Sequence, residues 1–399
     1  MKKSFTVFLI VAVLSQIILA RTISIWVSYN DEEYRTFTEI VQNYEELKGV
    51  KVKIQRIPFD GTEQKVLTAL ATRTAPDIAR VDCAFVSRLA LRGGVCALNE
   101  FGAGELVDEL VPAAVSGNII DGKIYGIPDQ TNCLCLFYNK RLFREAGLDP
   151  EKPPSTWEEF ISYGEKLTDV EKEIFGFGMR NTLWWTLPFF YTFGARFIDE
   201  GKCVLNTEEA VEGLQFKVDL YSKYKIEAGA WKSGAVDPDM GFQNDKYAMV
   251  LSGPWRIKIL LNIGIDFGVG MIPKGPAGTA TTVGGTNMVI FRGTKDKELA
   301  FDFLKFLVSK ENQTRWANEL GQIPVNVNSF DDVDLIKHPY LETFLHQMKT
   351  AVPRPVIPDY PAVENVVNQE IEAALSGKRS VEETLSVITE KVNKLLEEE

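Results

Sequence analysis

At 399 residues the chain is too long for one simple core and predicts two domains. Hydrophobic residues at 45% and charged residues at 25% fit an ordinary soluble globular protein. The net charge of −11 argues against nucleic acid, because phosphate backbones need clustered lysine and arginine. With only two histidines, His338 and His346, neither a histidine-based metal site nor a triad is expected.

The chain opens on MKKSFTVFLIVAVLSQIILA, with Lys2 and Lys3, an apolar run from Phe5 to Val13, and Ala20 at the end. That order predicts a secretory signal peptide over 1–20. A membrane anchor fits less well, since Ser15 and Gln16 interrupt a run already short for a span. Ile18, third before the proposed cut, departs from the small-residue rule, and no cysteine follows to accept a lipid. The chain is therefore expected to be exported, to the periplasm or the outer face of the cell membrane.

TISIWVSYN alternates Ile23, Ile25 and Val27 against polar partners, as a first strand does. Tyr34, Phe37, Val41 and Tyr44 then recur at helical spacing over 31–48. VKVKIQRI returns to period two, a helical stretch runs from Glu63 to Thr72, and APDIARVD reads as a short buried strand. This alternation predicts an α/β fold with largely parallel sheets, in which ligands sit at the carboxyl ends of strands. Gly126 and Pro128 break the chain beside Tyr125, and the strand CLCLFYN follows. Five cysteines (Cys83, Cys96, Cys133, Cys135, Cys203) leave at least one thiol free, and CLC reads as two small buried hydrophobes on one strand face.

A short helix then ends at Gly147, and TWEEF opens the next with Thr156 and Glu159 at capping-box spacing. Residues 171–200 are rich in aromatics, and 208–225 read as a helix. DFGVGMIPKGPAG leaves a strand for a Gly/Pro loop, TTVGGTNMVIF is a further strand, and 295–309 is an amphipathic helix. Val381, Leu385, Ile388, Val392 and Leu395 form a closing apolar stripe, with Ser380 and Glu383 as a second capping box. With no repeat or long linker, the two domains should be joined by a hinge of short crossing segments.

The order of ISIWVSYNDEEYRTF, APDIARVD, YNKRLFREAGL, PSTWEEF, FQNDKYAMVLSGPW, VGGTNMVIF and ELAFDFLKFL resembles bacterial extracellular solute-binding proteins that feed ABC importers, in the group that includes maltose-binding protein. The resemblance spans nearly the whole mature chain. It implies a two-lobed periplasmic-binding-protein type II fold with crossovers near 130, 272 and 323. The lobes would be 21–130 plus 273–322 and 131–272 plus 323–399, with a ligand cleft between them. It also implies two partners, a small carbohydrate ligand and the transmembrane subunits of an ABC permease. A monomer that uses no cofactor and no metal is expected.

A sugar needs aromatic plates for its C–H faces and fixed donors and acceptors for its hydroxyl rim. By the resemblance, Trp255 in SGPW is a stacking plate; the other reading is a plug on the core. Trp184, of the WW pair, is the expected second plate, and Asn132 stands where maltose-binding relatives place a hinge glutamate. Trp26 and Asn30 end the first strand, where Asn30 equally suits a helix N-cap. Asp60 and Asp82 follow the second and third strands and serve either hydroxyls or turns. Gly285, Thr286 and Asn287 of GGTN would bring backbone close to a ligand, or simply bend a strand. Arg354 and Tyr360 lie on a proline-stiffened loop that the resemblance implies is near the cleft, and Arg354 would grip a hydroxyl pair, or a carboxylate or phosphate if the ligand is acidic.

A secreted glycosidase also uses tryptophans and carboxylates, but Asp60 and Asp82 are not marked as its paired acids. No G-x-S-x-G, HExxH or P-loop motif occurs. The residues alone leave receptor and glycosidase open; the resemblance implies a non-catalytic receptor for a mono- or disaccharide or a polyol. A sugar acid or glycerol phosphate is the alternative ligand.

Overall fold

The computed structural model describes residues 20–397. Apart from Ala20, the predicted signal peptide lies outside the described residues.

The chain forms the expected two-lobed α/β fold, built on two main sheets. In the first, Thr22–Val27 sits between Lys51–Arg56 and Ile78–Asp82, parallel to both. Thr281–Ile290 continues this sheet antiparallel to Ile78–Asp82 and also pairs with Ile127–Cys133 and Ala351–Val352. The second sheet runs Phe267–Gly270, Cys135–Asn139, Tyr247–Ser252, Phe175–Gly178. Tyr247–Ser252 and Phe175–Gly178 are parallel, whereas both pairings of Cys135–Asn139 are antiparallel. The chain passes from one sheet to the other at Leu134, and returns between Gly270 and Thr281.

Local chemistry explains the elements. Helix Asp31–Lys48 begins at a full capping box, Asn30 with Glu33, and ends at Gly49 in the left-handed region. Its buried face (Phe37, Ile40, Val41, Tyr44) covers Ile23, Ile25 and Val27 on one side of the first sheet. Burying each such side chain contributes about 1.5–3 kcal/mol. The second lobe uses its aromatics instead: Trp157 stacks on Phe189 at 5.4 Å and meets Phe160 edge-on. Helix Val381–Glu397 lays its stripe, Val381, Leu385, Ile388 and Val392, into this second core. Cys133 and Cys135 are both fully buried in apolar surroundings, and all five cysteines are free thiols.

One feature under the cleft had no sequence signal. Arg80, almost fully buried, pairs with Asp129 at 2.9 Å, lies 4.1 Å over the Tyr29 ring, and also donates to Gln130. Tyr29 donates to Asp129 at 2.7 Å, Gln130 donates to Glu33 at 3.0 Å, and Gln322 donates to Glu33 at 2.9 Å. A buried guanidinium persists only with such partners.

Candidate functional site

Asp82 closes the third parallel strand, and its side chain accepts from the Ala84 N–H at 2.8 Å. Arg354 reaches it from the loop after Ala351–Val352, where Pro353 and Pro355 limit the backbone. Arg354 Nη2 lies 2.8 Å from Asp82 Oδ1 and also contacts the Cys83 sulfur. Burial pulls the guanidinium pKa down, but the Asp82 carboxylate outweighs it, so Arg354 stays charged. Burial pushes the Cys83 thiol up to about 11, leaving it neutral at physiological pH. The Arg354 guanidinium sits 5.5 Å from the Tyr360 ring centroid and 6.0 Å from that of Trp184. The same loop is tied to the first lobe by Ser87, which donates to the Ile357 carbonyl at 2.7 Å, and by Arg88, 3.1 Å from Asp359.

The tryptophans gather opposite. Trp184 donates through Nε1 to the Val283 carbonyl at 3.2 Å, and Trp185 to the Leu251 carbonyl at 3.3 Å. Trp184 meets Trp185 edge-on at 4.5 Å and lies 6.0 Å from Trp255, tilted by 36°. Trp255 follows Pro254 in a short 3-10 turn, and its ring folds back over Gly253, where any Cβ would overlap it. Gly284 has the same cause, since a Cβ there would stand 2.5 Å from the Trp184 ring and overlap Asn132 Oδ1. Gly285, at φ 130, also brings its strand against the Gln130 carbonyl.

A small cavity of about 20 Å³, room for little more than one water, lies beside these groups and is lined by residues that include Cys83, Pro128, Gly284, Thr286, Asn287 and Arg354. Several buried polar atoms nearby have no hydrogen-bond partner among the described residues: Asn132 Oδ1, Thr286 Oγ1, Asn287 Nδ2, Arg354 Nε, Tyr360 Oη and Ser252 Oγ. Buried polar atoms are nearly always satisfied, so these await water or a polar ligand.

Of the residues singled out from sequence, Asn132, Thr286, Asn287, Arg354, Asp82, Trp184, Trp255, Gly285 and Tyr360 come together here. Three do not. Trp26 points to the opposite sheet face from Ile25, packs with the Val66 cluster, and has Lys65 4.9 Å over its ring. Asn30 is spent as a cap, accepting from the Glu33 N–H at 2.9 Å. Asp60 stands exposed on the loop before Thr62–Thr72.

Two groups beside the site escaped the sequence reading. Arg180 lies 4.9 Å over Trp185, held by Asp237 at 2.7 Å and Asp239 at 3.1 Å. Glu63 has its pKa raised to about 7, by burial first and then by Asp82 and Glu364. Neither sits in a recognisable motif, and their partners are distant in sequence.

The sequence profile described as bacterial extracellular solute-binding protein matches residues 29–314. The maltodextrin-binding protein MdxE of Bacillus subtilis is 25% identical over 391 residues, covering 91% of this chain and 88% of that protein. A putative binding protein of Brucella abortus is 24% identical over 369 residues, covering 90% and 89%. Among solved structures, an ABC transporter solute-binding protein from Thermotoga lettingae, bound to alpha-D-tagatose, superposes with a TM-score of 0.86 at 27% identity. That match covers 94% of this chain and all of the other.

Proposed function

The chain belongs to the bacterial extracellular solute-binding protein family, and from that premise we propose that it is a non-catalytic receptor. It captures a neutral carbohydrate, a mono- or disaccharide or a polyol, between its lobes and delivers it to an ABC permease. The observation that carries this is the packing of Trp184 with Trp255 and near Arg354, beside a small cavity whose lining residues Thr286, Asn287 and Arg354 carry unpartnered buried polar atoms. Aromatic faces suit sugar C–H surfaces, and orphan polar atoms suit hydroxyls.

Neutrality follows from Arg354. Its charge is already met by Asp82, so an acidic ligand would have to displace a buried ion pair. A sugar acid or glycerol phosphate is therefore disfavoured. In this reading Asp82, Asn132, Trp184, Trp255, Thr286, Asn287, Arg354 and Tyr360 contact ligand directly or through water, and Gly285 lets the backbone approach. Trp26, Asn30 and Asp60 are left out.

We take the lobes as 21–130 plus 273–322 and 131–272 plus 323–399, and the receptor as an exported monomer with no nucleic-acid partner. Ligand that bridges both lobes would stabilise the closed form, in which Arg354 reaches Asp82 and Asn262 donates to Glu32 at 3.0 Å across the molecule. A thermal-shift screen over neutral sugars, polyols, sugar acids and glycerol 3-phosphate tests the assignment, because binding to the folded state raises its stability. Stabilisation by neutral sugars is expected. Stabilisation by anions alone, or hydrolysis of aryl glycosides, would overturn it.

A further inference from the structure

A second cavity opens on the first lobe, at the far end of its sheet from the cleft. Thr281–Ile290 pairs Thr286 with Asp82 at the cleft end and Ile290 with Ile78 at the other. Beyond that far end Phe291 bridges to Val95, and there a hollow of about 510 Å³ opens to solvent. The length of Ile78–Asp82 puts it on the order of 15 Å from the cleft, at about 3.3 Å per strand residue.

Three cations line this hollow: Lys123, Arg292 and Lys297. None of them has a carboxylate partner among the described residues, although most arginines and many lysines elsewhere are paired. The lining holds one carboxylate, Glu100, so the local balance is three positive charges against one negative. This excess stands out in a chain of net charge −11.

The other polar groups are biased the same way. Asn99 has its amide oxygen occupied by the Ile124 N–H at 2.9 Å, which leaves its amide donors for the hollow. The Cys96 thiol donates to the Phe291 carbonyl. Arg292 is laid down over Gly93, which has φ 68, and a Cβ there would stand 3.3 Å from Nη1. A bulkier residue at 93 would lift the guanidinium from the wall. The hollow is thus rich in donors, poor in acceptors, and positively charged.

We propose that this hollow is an anion site that takes a phosphate group, separate from the interlobe cleft. A phosphate offers acceptor oxygens on several sides, and Arg292 suits two of them while Lys123 and Lys297 act as point charges. The group is borne either by free inorganic phosphate or by an anionic lipid headgroup. The inference does not depend on what the cleft binds.

Isothermal titration with inorganic phosphate at fixed ionic strength, with chloride as the control, tests the first source. Co-sedimentation with phosphatidylcholine vesicles, with and without phosphatidylglycerol, tests the second. Binding is expected in at least one arm, and the double substitution R292E/K297E should weaken it at least about tenfold. Arg292 is exposed and Lys297 partly so, hence the variant should keep its thermal midpoint and its affinity for cleft ligands. Silence in both arms would overturn the proposal. So would phosphate or vesicle binding that survives R292E/K297E, since that places the anion elsewhere.

Discussion

Trp255 owes its position to its neighbours in the chain: Gly253 leaves room for the ring, and Pro254 starts the turn that presents it. It packs partly against the second-lobe core but is not fully buried, which leaves some of its surface for a ligand. Trp255→Ala is therefore expected to weaken sugar binding by about tenfold to a hundredfold while the thermal midpoint moves by less than about 4 °C. A collapse of stability in calorimetry would instead mark the ring as a core plug. Arg354 differs, because removing it strands Asp82. Arg354→Met should cost about 3–5 kcal/mol in denaturant unfolding, and adding Asp82→Asn should recover much of that loss. Asparagine can still cap Ala84, so the rescue isolates the charge. Lys217 offers a pH test. It is fully buried, donates to Thr186 and to the Arg180 carbonyl, and burial lowers its pKa to about 7. Between about 7 and the model-peptide value of 10.5 the unfolded chain carries a proton that the folded chain lacks. Stability should therefore rise with pH across that window, and Lys217→Met should flatten the difference.

Elements were the most legible scale. Helix 31–48, the capped starts at Thr156 and Ser380, and the closing apolar stripe are all written in local spacing, which is why periodicity found them. Alternation also told that Trp26 faces away from Ile25, but both faces of this sheet are covered by helices, so it did not tell which face meets the cleft. Asn30 shows the same limit, since one asparagine at a strand end suits a ligand and a cap equally. The Arg80–Asp129 pair joins residues 49 positions apart and left no pattern to read. GGTN reads in sequence as an approach to ligand or a bend in a strand; the structure sets Gly284 against Trp184 and Asn132, which come from another lobe core and another strand and leave no local pattern. The pairing register slips between Thr286 and Asn287, opposite a strand that contains Pro128, which has no N–H to donate. Gly284→Ala should push Trp184 and Asn132 apart, destabilise by about 1–3 kcal/mol in urea titration, and weaken ligand binding as well.

At the scale of the molecule, the lobes meet through strand crossings, the Arg354 loop and the Asn262–Glu32 contact. If ligand bridges them, small-angle scattering should show a smaller radius of gyration with saturating sugar, and an unchanged radius would refute closure. The buried network around Arg80 bears on how such a movement is articulated. Gln130 lies just before the first crossing and Gln322 lies late in the chain, yet both are fastened to Glu33 on the first helix. A rotation that keeps those bonds intact has Thr131–Leu134, the return between Gly270 and Thr281, and the residues after Gln322 in which to bend. The polar knot thus acts as a bearing block, leaving short, defined stretches of backbone to serve as the axle.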